Sequence, residues 1–194
     1  MARQIEYDPL ALQETLMKVF WAQGYAETSL SDIEAATGLN RRQLYNGVGD
    51  KRQMFLGALD DFSALAGRRF LAQLESDEAG VAEIETLLRT FLELASTPDG
   101  PTGCLVCSSS QEEIASDADV ASRIDTYFDR IRDAYLNALR RAVNRGDLAL
   151  NDAQVASRAE ALFGTHVALC ILGRARRPME QLKCMVDQAL EDIA

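Results

Sequence analysis

The stretch TSLSDIEAATGLNRRQLYNGVGDKRQMF, Thr28 to Phe55, decides the fold. Ser29 followed three residues later by Asp32 is a capping-box pattern, in which each side chain satisfies a backbone N–H that a helix start leaves unpaired. A helix is therefore predicted from about Leu30. Leu30, Ile33 and Ala36 recur at helical spacing until Gly38 stops it, and Leu39 plugs the corner. Asn40 with Gln43 repeats the capping pattern, so only about three residues separate the two helices, the spacing of a helix-turn-helix. Asp50 with Gln53 starts the next helix.

The second of these helices carries an unusual face. Arg41, Arg42, Gln43, Tyr45 and Asn46 all donate hydrogen bonds, and Leu44 alone reads as inward. Arg grips the major-groove edge of guanine in bidentate fashion and Gln or Asn does the same for adenine, whereas Tyr and Lys more often hold phosphates. Lys51 and Arg52 fall in the first turn of the following helix, beside free N–H groups, the pattern of a phosphate clamp.

Thr28, Asp32–Ile33, Gly38–Leu39, Leu44–Tyr45, Lys51 and Phe55 together resemble the TetR family of bacterial transcriptional regulators. The resemblance is strong over residues 10 to 56 and architectural beyond them. It implies phosphate contacts from Tyr45 and Lys51, base reading by Arg42, Gln43 and Asn46, and a DNA-facing surface that also takes in Thr28, Ser29, Asn40 and Arg41. Two positions depart from the pattern. Asn46, Gly47 and Val48 stand where the family has two large residues and then Phe, and Arg42 stands where a small residue is common.

Charge supports the assignment. Residues 40 to 52 carry a net +3 in a chain of net −10. Such a basic patch on an acidic body lets only one face approach a phosphate backbone without repulsion. With 194 residues, 47% of them hydrophobic, the chain can bury a sizeable core. There is no uninterrupted apolar run of 18 residues and no hydrophobic signal core in MARQIEYDPL, so a cytoplasmic protein without a membrane partner is expected. Four cysteines are too few for a disulfide scaffold.

Along the chain, Asp8–Pro9 opens a first helix whose stripe is Leu12, Leu16, Val19 and Phe20, with Trp21 and Tyr25 read as packing. From Asp50 an apolar pattern runs about twenty residues, long enough to tie a reading head to a body. After the polar break ESDEAG come a helix from Val81 to Ala95, the turn-rich TPDGPTG and a short helix from Cys104 to Ile114. A long helix follows, capped by Ser116 with Asp119, and then two more, about Asp152 to Arg174 and Pro178 to Ile193. No strand pattern appears.

The expected fold is all-α: a three-helix head with the helix-turn-helix, residues 1–49, and a six-helix effector-binding and dimerisation body, residues 50–194, about nine helices in all. The resemblance further implies a homodimer through the last two helices on a near-palindromic, double-stranded DNA operator, released by a small-molecule effector. Ala161, Gly164, Ala168 and Gly173 would let those helices approach closely.

The body offers three chemistries. Phe62, Phe91, Tyr127, Phe128, Phe163 and His166, with Cys104 and Cys107, lie on helices that would surround an apolar pocket. Cys104-Leu-Val-Cys107 is a CxxC at a helix start, where a thiol becomes more acidic, and could form a thiol switch. Cys104, Cys107, His166 and Cys170 are donors for a tetrahedral metal site if the two pairs meet. Cys104 as nucleophile with His166 as base would make a cysteine enzyme, but no orienting acid or oxyanion-hole motif accompanies them, so no catalysis and no cofactor are expected.

Overall fold

A computed structural model describes residues 7–97 and 103–193. Among these residues every regular element is helical, with no strand. The first six residues of MARQIEYDPL and residues 98 to 102 of the TPDGPTG turn lie outside them.

The elements are α1 (Pro9–Gln23), α2 (Leu30–Thr37), α3 (Arg41–Gly47), α4 (Lys51–Ala66), α5 (Ala72–Glu75), α6 (Val81–Ser96), α7 (Leu105–Ser109), α8 (Ala118–Arg145), α9 (Asp152–Arg174) and α10 (Met179–Glu191). A π-helical turn over Gly67–Leu71 joins α4 to α5, so the two are one interrupted rod and the described helices reduce to the expected nine.

Local rules place the head. The three capping boxes form as the sequence predicts: Ser29 with Asp32, Asn40 with Gln43, and Asp50 with Gln53. Gly38 takes a left-handed conformation, φ 69°, which an L side chain resists, and so turns the chain from α2 toward α3. Burial then locks the unit: Phe20, Ile33, Leu44 and Phe55 are each fully buried. Phe20 meets Phe55 edge-on at 5.2 Å and Tyr25 lies 4.8 Å from Phe55, so the start of α4 is part of the head's core.

The body is a bundle in which α8 and α9 run against one another and α6 and α10 pack on α9. By length and composition α9 could cross a membrane, despite the broken apolar run that its sequence shows; here it packs against α6, α8 and α10 as a core helix does. Two sequence readings are corrected at the α7–α8 junction. The stretch from Cys104 to Ile114 is not one helix: α7 ends at Ser109 and a 3-10 turn follows over Glu113–Ser116. The cap of α8 is Asp117 rather than Ser116, because Asp117 accepts from the backbone N–H of Asp119 and Val120 while the Ser116 hydroxyl bonds back to Glu113.

Because Phe55 joins α1 to α4 with no exposed atom, Phe55→Ala is expected to destabilise the protein by about 3–5 kcal/mol. Urea unfolding followed by circular dichroism would measure it.

Candidate DNA-reading surface and body cavity

The outer face of α3 presents Arg42, Tyr45 and Asn46 to solvent, and Tyr45 is 46% exposed despite its large ring. Leu44 fixes the helix from behind with no exposed surface. The other expected DNA contacts divide. The Gln43 side-chain oxygen accepts from Asn40 N–H at 3.0 Å, and Asn40 Oδ1 accepts from Gln43 N–H at 3.0 Å. Bidentate adenine reading by Gln43 would have to break that box. Arg41 is drawn to Glu34, 3.6 Å away, and its backbone N–H donates to the same carboxylate.

Three expectations change. Thr28 is 1% exposed and its hydroxyl donates to the Gly24 carbonyl, so it shapes the turn before α2 rather than facing DNA. Ser29 is exposed, but its hydroxyl donates to Asp32 at 2.6 Å. Arg52 is no phosphate clamp, because its guanidinium forks onto Asp117 at 2.7 and 2.8 Å and reaches Asp119 at 2.6 Å, all on the body. That pairing lowers the Asp117 carboxyl to about 2. Lys51 remains at the head's surface, with its ammonium 4.3 Å above the Tyr25 ring.

The body holds a cavity of about 60 Å³. Phe62, Phe91, Cys104, Tyr127 and His166 line it, as the sequence suggests. Phe128 and Phe163 do not: their rings pack on each other at 5.6 Å, outside the lining. Cys107 also stands outside it, behind Cys104. The sequence reading missed Trp21, Phe70 and Cys170 as wall residues, along with aliphatic residues and glycines such as Leu94, Leu169 and Gly103.

Residues 13–58 match the family profile described as "Bacterial regulatory proteins, tetR family", and residues 80–186 match "Tetracyclin repressor-like, C-terminal domain". The chain belongs to the TetR family. It is a DNA-binding transcriptional regulator. It is 25% identical over 190 residues to YezE, an uncharacterized HTH-type transcriptional regulator of Bacillus subtilis (strain 168), covering 98% of each chain. ComR, an HTH-type transcriptional repressor of Escherichia coli (strain K12), is 27% identical over 119 residues, 61% of this chain and 57% of ComR. Among solved structures, a cysteine mutant of the TetR family regulator CifR, complexed with 26-bp operator DNA, superposes with a TM-score of 0.85 at 24% identity, covering 97% of this chain and 98% of that one. Reduced NemR of E. coli gives 0.77 at 18%, covering 95% and 97%. At such identities these two structures establish the fold alone.

In this TetR-family body the cysteines meet but the metal set does not assemble. Cys104 caps α7, its sulfur accepting from Cys107 N–H at 3.4 Å, and Cys170 reaches the same sulfur from α9. Burial opposes a thiolate at Cys104, yet hydrogen bonds from the Cys107 and Cys170 thiols outweigh it and leave Cys104 the most acidic of the three. Hydrogen bonding to Cys104 conversely raises both Cys107 and Cys170. Among the described residues no group of three or more Cys, His, Asp or Glu is placed to hold a metal ion. The donors Cys104, Cys107, Cys170 and His166, a metal set only if the two pairs met, do not form one. His166 Nδ1 shares a hydrogen bond with Tyr135 Oη at 3.1 Å, and its ring stands edge-on to Phe91 at 4.5 Å.

Burial pulls His166 down to about 4. Between that value and the unfolded value of 6.5 the unfolded chain binds a proton that the folded chain refuses, so stability falls as pH falls through this window. The wild type is expected to lose roughly 3 kcal/mol from this group between pH 6.5 and 4, and His166→Gln to be free of that loss. Urea titrations at a series of pH values would resolve the difference.

Proposed function

We propose that this TetR-family regulator is a repressor that binds a near-palindromic operator as a homodimer and leaves it when a small effector occupies the body cavity. The exposed face of α3 carries the reading. Arg42, Tyr45 and Asn46 project from a short, fully capped helix on the basic part of an otherwise acidic chain. Arg42 and Asn46 read base edges; Tyr45 and Lys51 hold phosphates, with Asn40 and Arg41 at the margin. The family resemblance supports residues 1–49 as the head and 50–194 as the body, although the first turns of α4 pack within the head's core. The CifR mutant bound to operator DNA supports the same use of the fold.

Two features of the single chain support pairing through α9 and α10. Ala161 and Gly164 leave α9 open, with no atom within 4 Å of where a Gly164 Cβ would stand. Arg158, beside the groove between α9 and α10, has a buried Nη1 with no hydrogen-bond partner among the described residues, and a second copy would supply one. A two-fold dimer would place the two α3 helices in successive major grooves, about 34–36 Å apart. The cytoplasm is where such a protein meets its operator. We read it as a binding switch rather than an enzyme; among the described residues the His166 ring is hydrogen-bonded by the Tyr135 hydroxyl and not by a carboxylate.

The meeting of Cys104, Cys107 and Cys170 favours a second reading, a thiol-responsive repressor that senses through this buried cluster.

Fluorescence anisotropy with duplex DNA from upstream of the protein's own gene tests both. Arg42→Ala is expected to relax base preference, and Lys51→Ala to weaken all duplexes alike and flatten the salt slope by about one. A Lys51→Ala protein altered only in base preference would refute the division of roles. Binding lost under a mild thiol oxidant and restored by reductant would select the thiol reading; equal binding in both would leave the cysteines as packing.

A further inference from the structure

The cavity is not enclosed by the body alone. Of the described residues that line it, Trp21 is the one that α1, α2 or α3 supplies. Its ring meets Phe62 edge-on at 5.0 Å, and Phe62 in turn faces Tyr127 at 6.3 Å, so the head's indole continues the aromatic wall of the body. The indole N–H donates to the Gly103 carbonyl at 3.0 Å. The Trp21 carbonyl accepts from Arg174 Nη1 at 3.0 Å, and Ala22 accepts from the same guanidinium at 3.2 Å. Gly103 is itself a wall residue, and Arg174 follows the wall residue Gly173. These two anchors of Trp21 are thus built into the cavity's rim.

The rim is tight. Gly103 has φ +79°, and a Cβ there would come within 2.7 Å of the Cys170 carbonyl, so only glycine lets the chain pass. The wall also includes Phe70 and Leu71 from the π-helical turn, an irregular element of a kind often found at functional sites. At about 60 Å³ the space is several times what one water needs, roughly 10–15 Å³, yet far below the roughly 300 Å³ of the smaller drug-sized pockets. An apolar cavity that takes benzene measures about 150 Å³, so even a compact ring enters only if a wall gives way, and Trp21 is the part of the wall that the head supplies. The lining is mostly aromatic and aliphatic, with a neutral His166, and its one guanidinium, Arg69, lies exposed against the Phe70 ring. These features select an uncharged, planar, apolar molecule.

We propose that Trp21 is the element that transmits occupancy of this cavity to the DNA-reading head: a small uncharged aromatic molecule displaces the indole from Gly103 and carries α1, with α2 and α3 behind it, out of its DNA-binding position. The proposal rests on the reading of the protein as an effector-released regulator, and it adds the ligand class and the residue that couples the two sites. Trp21 reports on itself, because it is the chain's one tryptophan.

Toluene is the probe. In the wild type it is expected to shift the emission of Trp21 and to weaken binding to the upstream duplex by about tenfold, within the usual range of coupling between sites. Trp21→Phe keeps a ring in the wall but lacks the N–H that Gly103 accepts. In that variant toluene is expected still to raise the melting temperature, which reports occupancy, while DNA affinity changes by less than about twofold. A variant that releases DNA as the wild type does would overturn the role of Trp21 and leave effector release standing. Wild-type emission that shifts with no change in DNA affinity would overturn the coupling. Emission unmoved at saturating toluene would overturn the ligand class as well, and this wild-type readout holds even if Trp21→Phe folds poorly. A wild type that binds no duplex before toluene is added would defeat the regulator reading itself.

Discussion

The end of α1 is capped by the body, and the placement of the head depends on that cap. A helix terminus leaves its last carbonyls without partners, and a cation near them also meets the negative end of the helix dipole. Here Arg174, from the last turn of α9, bonds the carbonyls of Trp21 and Ala22. Just past the helix, the Glu112 carboxylate accepts from the backbone N–H of Tyr25 at 3.2 Å and of Ala26 at 2.9 Å. The chain between α1 and α2 therefore takes part of its hydrogen bonding from body side chains. Arg52, forked onto Asp117 and Asp119, adds a third tie at the start of α4. The position of the head and the order of the body are consequently one problem.

This division explains what could be read from the sequence. The caps of α2, α3 and α4 involve partners three residues apart, so residue type and spacing suffice to find them. The long stripes of α4, α6 and α8 are legible for the same reason. Ties across the chain are not. Glu112 meets Tyr25 across 87 residues and Trp21 meets Gly103 across 82, and no periodicity marks either pair. Arg52 reads as a free cation beside a helix start until α8 places two carboxylates against it. Phe128 and Phe163 read as pocket residues because they sit on the right helices, but their rings face each other rather than the cavity. For aromatic residues the helix is predictable and the rotation within the bundle is not.

The cysteines illustrate the same limit from the other side. CxxC at the start of α7 is visible in sequence, and so is the four-residue spacing of His166 and Cys170. Their meeting depends on α7 lying against α9. It brings Cys170 to Cys104, yet turns the imidazole of His166 toward Tyr135 and Phe91. One spacing argument thus reaches a true proximity and a false coordination set. What separates them is placement, since among the described residues no three such donors converge closely enough to hold an ion.

The size of the head–body junction also sets what a ligand must achieve. The ties are polar and partly exposed, so each is worth much less than a buried aromatic contributes. A ligand shifts the head only by its differential affinity for the two arrangements, and coupling of about 1–3 kcal/mol changes DNA affinity roughly 5- to 150-fold. Loosening one or two of these ties lies within that range. Unpacking Phe55 from Phe20 and Tyr25 does not, because the loss would unfold the head rather than reorient it. The structure therefore has a strong aromatic core inside the head and weak polar ties around Trp21, and motion belongs at the weaker of the two.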